Sequence, residues 1–573
     1  MMKKNSFSLN GEKVLYGLIL IIGLALRLIQ LGKLPLSDEE ARLALQAFGL
    51  ASGESSPFFN PDGGYLITTT GLFFIFSKSE FLARLIPALA GTLICLIPLA
   101  FQRLLGRKTA LIAAFGLALD GGWLAASRQA GSHTWAVLFL LAVIWAVSSR
   151  RWKMAGIFSG LLLLGGVEVW KGLIPLGVAI GVYNLWFRWE SFAWNDVWLS
   201  FRNNWKEFLT WAVGALLVLG SLFLILPTGW SAMGGGLISY LRGWNNPSGV
   251  SVGMILTAML IYQPISTLFG LIASLRQIKK SVSLELFLTI WSFFALIHCF
   301  LYPAREVLDV LWVSLPLLGL AARLLSSLLR FNFDQRIAAL IYGVVVLIFL
   351  MFTSQNIMRL FSPGRVAVNT QPEIIAILAA LLFVIISVIL IGWGWSTRVA
   401  GYGVTWGLLV WLMLFWLSGS FHAAGLGENP ETNPFRRGWF ISEADLLKDT
   451  IGDLSELNVR SRTGLDVMAI GLDQPAMRWF AREFTNFKFE NTFQPQIQSS
   501  IVLTGSSEGV VFGENYRGQD FHWQVQPIWD LMTAKEWMQW AIFKIAPLEN
   551  KMIFLWARES LFPGSEISNE VQP

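Results

Sequence analysis

Charge is scarce in this sequence. Asp, Glu, Lys and Arg make up 14% of its 573 residues, against about 25% in soluble domains, and that shortage excludes an ordinary soluble enzyme. Cysteine is nearly absent. Cys95 and Cys299 both lie in or near apolar runs, so no disulfide framework is expected. Histidine occurs four times, and His298, His422 and His522 are too dispersed to suggest a zinc site. Gly121-Gly122 and Gly234-Gly235-Gly236 neither follow a strand nor precede a Lys-Ser/Thr pair, which excludes a phosphate-cradling loop. The net charge is +6 and the pI is near 9.2. The basic residues are nevertheless scattered in pairs and triplets between apolar runs, so no nucleic-acid partner is expected.

What the chain has in abundance is apolar length. Hydrophobic residues make up 54%, in runs such as Val14–Leu31, Ile374–Trp393 and Tyr402–Leu417. A helix crossing a bilayer needs about 20 such residues, and its backbone must bond internally because no water is available there. Spans are predicted near 14–31, 82–102, 109–126, 133–148, 155–168, 172–187, 208–226, 251–275, 283–301, 306–326, 337–354, 372–393 and 401–420. The run after Met1–Lys13 lacks a small-residue cleavage site and reads as a retained span. The 27 tryptophans suit many membrane–water interfaces. The fold class is therefore an α-helical polytopic membrane protein with about 13 transmembrane helices.

Lys3, Lys4 and Lys13, Arg103, Arg107 and Lys108, Arg150, Arg151 and Lys153, Arg276, Lys279 and Lys280, and Arg398 share one set of loops. That set is expected to be cytoplasmic. An odd number of spans then puts the N-terminus inside and the C-terminus outside. The first outer loop is 32–81, the membrane domain 1–424 and the tail 425–573. Gly425–Gly438 reads as a linker. Strand-like stretches at Asp466–Gly471, Ser500–Thr504 and Met552–Trp556 alternate with helical patterns at Pro475–Phe484 and Ala534–Phe543. They predict a small extracytoplasmic α/β domain, which itself shows no catalytic motif.

The first outer loop carries the most chemistry. Ser37 and Glu40 have capping-box spacing and start a helix at Ser37. Leu36, Leu43, Ala44, Ala47 and Phe48 give it an apolar stripe, as in a helix lying on a membrane surface. Asp38, Glu39 and Glu40 crowd its first turn. Acids are favoured there by the helix dipole alone, by about 0.3–1 kcal/mol each. Such a carboxylate can also act as a general base, or hold a metal, at the lipid–water boundary.

Five short stretches, taken in order, resemble one family. They are the segment from Leu26-Arg27-Leu28 to Ala47, the run Ser79-Glu80-Phe81-Leu82-Ala83-Arg84-Leu85-Ile86-Pro87, Ala126-Ser127-Arg128, Trp170-Lys171-Gly172-Leu173, and Pro303-Ala304-Arg305 with Leu315-Pro316. Together they resemble the GT-C superfamily of membrane glycosyltransferases, and most of all glycosyltransferase family 39, the dolichyl-phosphate-mannose–protein mannosyltransferase-like group. The resemblance covers about the first 330 residues. It implies an inverting hexosyltransferase of the cell envelope, multi-pass in the plasma membrane. The donor would be a polyprenyl-phosphate sugar and the acceptor a protein or glycolipid. The family's catalytic acid falls among Asp38, Glu39 and Glu40; aligning on the aspartate chooses Asp38, and Glu39 comes second. Arg128, Lys171 and Arg305 would bind donor phosphate. The structural alternative for these bases is snorkelling, or pairing with Glu168 or Asp309. Arg84 is expected to be structural.

Two departures stand against this pattern. Asp62-Gly63-Gly64 replaces the family's His-Pro-Pro, and Gln129-Ala130-Gly131-Ser132-His133 follows Ser127-Arg128 where many members carry an acid. Both weaken the case for a divalent metal without removing it. His133 can replace a ligand, but a lone histidine at a helix start is more often a polar cap. The departures also keep open a non-catalytic scaffold, or a flippase-associated component of lipid-linked glycan handling. The topology is testable directly. Alkaline phosphatase fused after the tail should be active and a fluorescent-protein fusion there dark. The reverse pattern would invert every assignment of sides made above.

Overall fold

The computed structural model of the chain describes residues 9–54, 62–187, 194–277, 284–328, 335–364, 370–493, 498–507 and 512–562. Lys3, Lys4, Lys279 and Lys280 lie outside them. Seven helices among the described residues are long and apolar enough to cross a membrane: Glu80–Ala100, Gly166–Leu185, Leu284–Leu301, Val307–Leu328, Arg336–Leu360, Gln371–Gly394 and Thr397–Ala423. Two bent pairs, Arg107–Leu119 with Gly121–Ser127 and Val252–Tyr262 with Pro264–Arg276, raise the number to nine. Thirteen were expected, and the difference has local causes. The helices His133–Ser148 and Trp152–Leu163 are too short to cross alone. Leu9–Leu28 carries Glu12, Lys13 and Arg27, and the first half of Trp194–Leu219 is polar.

The two broken helices meet at their breaks. Bends of 58° and 99° occur at Asp120 and Gln263. Each break frees backbone groups that an apolar interior cannot solvate. Asp120 Oδ1 accepts from the amides of Gly122 and Trp123 at 3.1 and 3.4 Å, and from Gln263 Nε2 at 2.6 Å. On the other side of the break, Arg27, 1% exposed, donates to the carbonyls of Leu117 and Ala118 and to Ser127 Oγ. Arg27 thus caps a helix end from a neighbouring helix.

The first-loop helix runs Asp38–Ala51, with Ser37 as its N-cap and a capping box closed by Glu40. Its buried face is Ala41, Leu43, Ala44, Ala47 and Leu50. A surface helix laid on lipid was expected; here the tail covers that face, because Pro475–Ala481 packs across it. Glu40 reaches inward instead, and Arg84 meets it with two bonds, Nε to Oε1 at 2.8 Å and Nη2 to Oε2 at 2.7 Å. Arg84 also donates to the carbonyls of Leu31, Leu34 and Pro35. The turn that enters the loop is therefore tied to the Glu80–Ala100 helix.

The tail holds one six-stranded sheet. Its strands are β1 (Phe440–Ile441), β2 (Asp466–Ile470), β3 (Asn486–Glu490), β4 (Ile501–Thr504), β5 (Tyr516–Pro527) and β6 (Leu548–Arg558), in the order β1-β5-β6-β4-β2-β3. β2 runs parallel to β3 and β4, and the other pairings are antiparallel. β4, buried at every position, sits between β2 and β6 inside the sheet. Helices Ala444–Val459, Pro475–Ala481 and Ala534–Phe543 complete the domain.

Two apolar clusters join tail to membrane domain. One contains Ala41, Leu43 and Leu50 of the first loop together with Met477, Trp479 and Leu503. The other contains Trp540, fully buried, with Tyr262, Phe435 and the membrane core. Burying a side chain of this size contributes about 1.5–3 kcal/mol, so the tail is fastened at two separate places.

The Glu40–Arg84 pair makes a stability prediction. Arg84→Met strands a buried carboxylate and should cost about 3–5 kcal/mol. Adding Glu40→Leu should recover part of that loss in a thermal double-mutant cycle, and strict additivity would deny the coupling. Burial alone would raise the Glu40 carboxyl, but Arg84, Arg436 and the Ala130 amide hold it at about 2. A depressed acid contributes fully above its ordinary value of about 4.3. That contribution is lost only as pH falls through about 2. Docking of the first loop should thus be constant from about pH 5 to 8.

Candidate active site

The acids of the first turn go three separate ways. Asp38 turns to the tail: Oδ1 accepts from the Ala476 amide at 2.9 Å and Oδ2 from Gln524 Nε2 at 2.6 Å. Glu40 is the buried partner of Arg84, and its Oε1 also accepts from the Ala130 amide at 2.9 Å. Among the described residues Glu39 pairs only with Arg42, at 2.6 Å, the two side chains being 45% and 54% exposed. Its carboxylate alone is uncommitted to the fold. A Cβ at Gly438 would stand 3.7 Å from Glu39 Cγ, which sets Glu39 against the linker beside Arg437.

The expected phosphate ligands also divide. Arg128 spends its guanidinium on the carbonyls of Leu26, Arg27, Ile29 and Gln30, where the first helix ends. It lines a cavity of about 30 Å³ with Glu40, Arg84, Gln129 and Arg436. Burial, then the charges of Arg84 and Arg27, lower the Arg128 guanidinium to about 10. Lys171 is 2% exposed and lies 2.8 Å from Asp309 Oδ1 and 3.0 Å from Glu168 Oε1. Arg305 gives Nη1 to the Phe300 carbonyl at 2.9 Å, while its buried Nε has no hydrogen-bond partner.

A buried polar cluster gathers around Arg437, in the linker that precedes β1. Arg437 Nε is 3.0 Å from Glu306 Oε2 and Nη2 is 3.2 Å from Glu306 Oε1. Burial would lower the Arg437 guanidinium, but the carboxylates of Glu306, Asp62, Glu168 and Glu39 raise it above its ordinary value. Burial likewise opposes ionisation of Glu306, yet Arg437 and then Lys171 hold it well below the usual carboxylate range. His133 Nε2 lies 3.3 Å from Glu168 Oε2 and 3.5 Å from Glu306 Oε2. Tyr302 stacks on Tyr240 at 5.0 Å, with Lys171 Nζ 5.9 Å from its ring.

Local sequence explains the assembly. His133 and Glu168 both lie in the first turns of their helices, and Glu306 precedes the short turn that opens the Val310–Leu328 helix. The Asp62-Gly63-Gly64 segment packs at van der Waals limits: a Cβ would stand 2.3 Å from Ala232 at Gly63 and 2.5 Å from Trp135 at Gly64. Only glycines fit there, so the departure from His-Pro-Pro is a packing solution in this chain. Of this cluster, Glu168 and Asp309 are visible in sequence as partners for Lys171, and His133 as a lone polar residue. Arg437 and Glu306 were missed, since nothing local marks a linker arginine or a turn glutamate whose partner is 131 residues away.

Comparison with solved structures shows the fold. The chain is similar to ArnT from Cupriavidus metallidurans bound to undecaprenyl phosphate, with TM-score 0.52 and 13% identity over 97% of this chain and 99% of that one. It is similar to the apo ArnT from the same organism, with TM-score 0.52 and 14% identity over 95% and 98%. No family model matches the chain, and no curated protein does. The shared architecture spans both the membrane bundle and the tail, and at this identity the likeness is one of fold.

The geometry assigns Asp38 to holding the tail. Asp38→Ala leaves the Ala476 amide without its acceptor and Gln524 Nε2 with Gln474 Oε1 alone, at about 1–3 kcal/mol. Hydrogen exchange in Pro475–Ala481 should speed up in that variant and stay unchanged in Glu39→Ala. Equal protection in all three proteins would remove the docking role.

Proposed function

We propose that the chain transfers a sugar from a polyprenyl-phosphate donor to an acceptor at the face of the membrane covered by the tail, outside the cytoplasm. The fold supports this reading, and so does the undecaprenyl phosphate bound to the similar ArnT. The observation that carries it is the division of labour among three adjacent acids. Asp38 and Glu40 have their oxygens occupied, while Glu39 is half-exposed, pairs only with the exposed Arg42 and lies against Gly438, next to Arg437 in the linker. Glu39 thus replaces Asp38 as the preferred base.

In this reading the acceptor hydroxyl gives its proton to Glu39. Its oxygen attacks the anomeric carbon from the side opposite the phosphate, and the carbon–oxygen bond to the polyprenyl phosphate breaks, inverting the centre. The charge that develops on the leaving phosphate needs preorganised donors. Arg305 is the best placed of the three expected bases, because its Nε is free of partners. It directly precedes Glu306, which anchors Arg437 next to Gly438 and Glu39. Lys171 and Arg128 act through position: one holds Glu168 and Asp309, the other the end of the first helix. The sugar, the acceptor class and the hexosyl specificity follow the family resemblance only.

A second reading, a non-catalytic scaffold or flippase-associated component, gains from the complete neutralisation of Lys171 by Glu168 and Asp309. One experiment separates the two. Purified chain in nanodiscs is given radiolabelled polyprenyl-phosphate sugars and released sugar is followed. Wild type should turn over a donor, and Glu39→Gln should lose about 10²–10⁴-fold in kcat with donor binding kept. Binding without turnover in wild type would favour the scaffold, and an undiminished Glu39→Gln would refute the base.

A further inference from the structure

The buried polar cluster between the starts of the His133–Ser148 and Gly166–Phe187 helices holds a feature that ion pairing does not explain. His133 is 6% exposed and Glu168 4%. His133 Nε2 and Glu168 Oε2 face each other at 3.3 Å, yet neither atom has a hydrogen-bond partner. Leaving such groups unmatched in a protein interior costs about 1–3 kcal/mol apiece. Ligand atoms of His133, Glu168 and Asp309 all lie within 4.8 Å of one another, and Glu306 Oε2 adds a fourth, 3.5 Å from the imidazole.

The separations discriminate between causes. A charge-assisted N–H···O⁻ bond would draw the atoms to about 2.7–2.9 Å. Ligand atoms arranged tetrahedrally at about 2.0–2.2 Å from a metal stand about 3.3–3.6 Å apart. The 3.3 and 3.5 Å contacts match the second arrangement. Charge points the same way. The carboxylates of Glu168, Glu306 and Asp309 face two cations, Lys171 and Arg437, which leaves one negative charge uncompensated while the imidazole is neutral. Lys171 occupies Glu168 Oε1 and Asp309 Oδ1, and the Glu306 amide occupies Asp309 Oδ2. The cations thereby fix the carboxylates and leave Glu168 Oε2 turned toward His133. Mixed imidazole and carboxylate donors suit zinc and manganese better than calcium or magnesium, which take oxygen alone.

We propose that His133 and Glu168, supported by Glu306 and Asp309, bind one divalent transition-metal ion of the zinc class. The ion sits beside Lys171, at the end of the bundle that the tail covers. The site does not depend on the transferase reading, because its test reads metal rather than turnover.

The full-length chain in detergent is stripped with a chelator, incubated with zinc chloride and desalted, and bound zinc is measured by mass spectrometry. Wild type and the distant surface variant Asp530→Asn should each retain about one zinc per chain above the stripped baseline. His133→Ala and Glu168→Gln should fall to that baseline. Should those variants fold poorly, His133→Cys supplies a thiolate at the same place. Its cobalt-loaded form should gain a near-ultraviolet thiolate-to-cobalt band that cobalt-loaded wild type lacks. Zinc at the baseline in wild type, equal zinc in all four proteins, or a His133→Cys chain that takes up cobalt without that band would each overturn the site.

Discussion

The buried pair of Arg84 and Glu40 is the contact on which the working end of the molecule depends. Both side chains are nearly inaccessible, and an ion buried alone costs several kcal/mol. Each partner is therefore compulsory once the other is present. From this one contact the guanidinium reaches three carbonyls of the loop entrance, and the carboxylate reaches the capping box and the Ala130 amide. The orientation of the first-loop helix follows. So does the direction of its neighbours: with Glu40 turned inward, Asp38 points to the tail and Glu39 to the linker.

That logic repeats elsewhere. Arg27 and Arg128 bond helix-end carbonyls, Asp120 bonds helix-start amides, and Gln263 joins the two breaks. The few charges of an apolar chain are thus mostly structural. Around Arg437 the pairing is incomplete: Arg305 Nε, His133 Nε2 and Glu168 Oε2 have no hydrogen-bond partners, as is also true of Gln263 Oε1 and Arg436 Nε. Buried polar groups are overwhelmingly satisfied in folded proteins, so each of these exceptions asks for a cause.

Much of the architecture was legible in sequence because hydropathy and capping are local. The capping box at Ser37, the Ala534–Phe543 helix and the interior strand around Ile501–Thr504 appear where those signals place them. The expected count of about 13 spans is not confirmed: among the described residues seven to nine helices are long and apolar enough to cross, and short apolar helices such as Trp152–Leu163 make up part of the difference. Strands β3 and β5 lack an apolar run: Asn486–Glu490 is half-exposed, and β5 opens on the polar Arg517–Asp520, so neither stands out as the buried Ile501–Thr504 does. In the site, residue types were readable and their partners were not. The choice among Asp38, Glu39 and Glu40 turns on Ala476, Gln524 and Arg84, and only the last lies nearby in sequence.

In the proposed transferase a lipid-linked phosphate is handled at the tail-covered end. The opposite end offers a competitor, a groove of about 420 Å³ lined by Arg150, Arg151 and Lys153. A cryo-electron microscopy structure of the chain in nanodiscs with undecaprenyl phosphate decides between them. Phosphate density is expected next to Arg305 and within reach of Glu39. Density confined to the Arg150–Lys153 groove, with none beside Arg305, would contradict the proposed transferase.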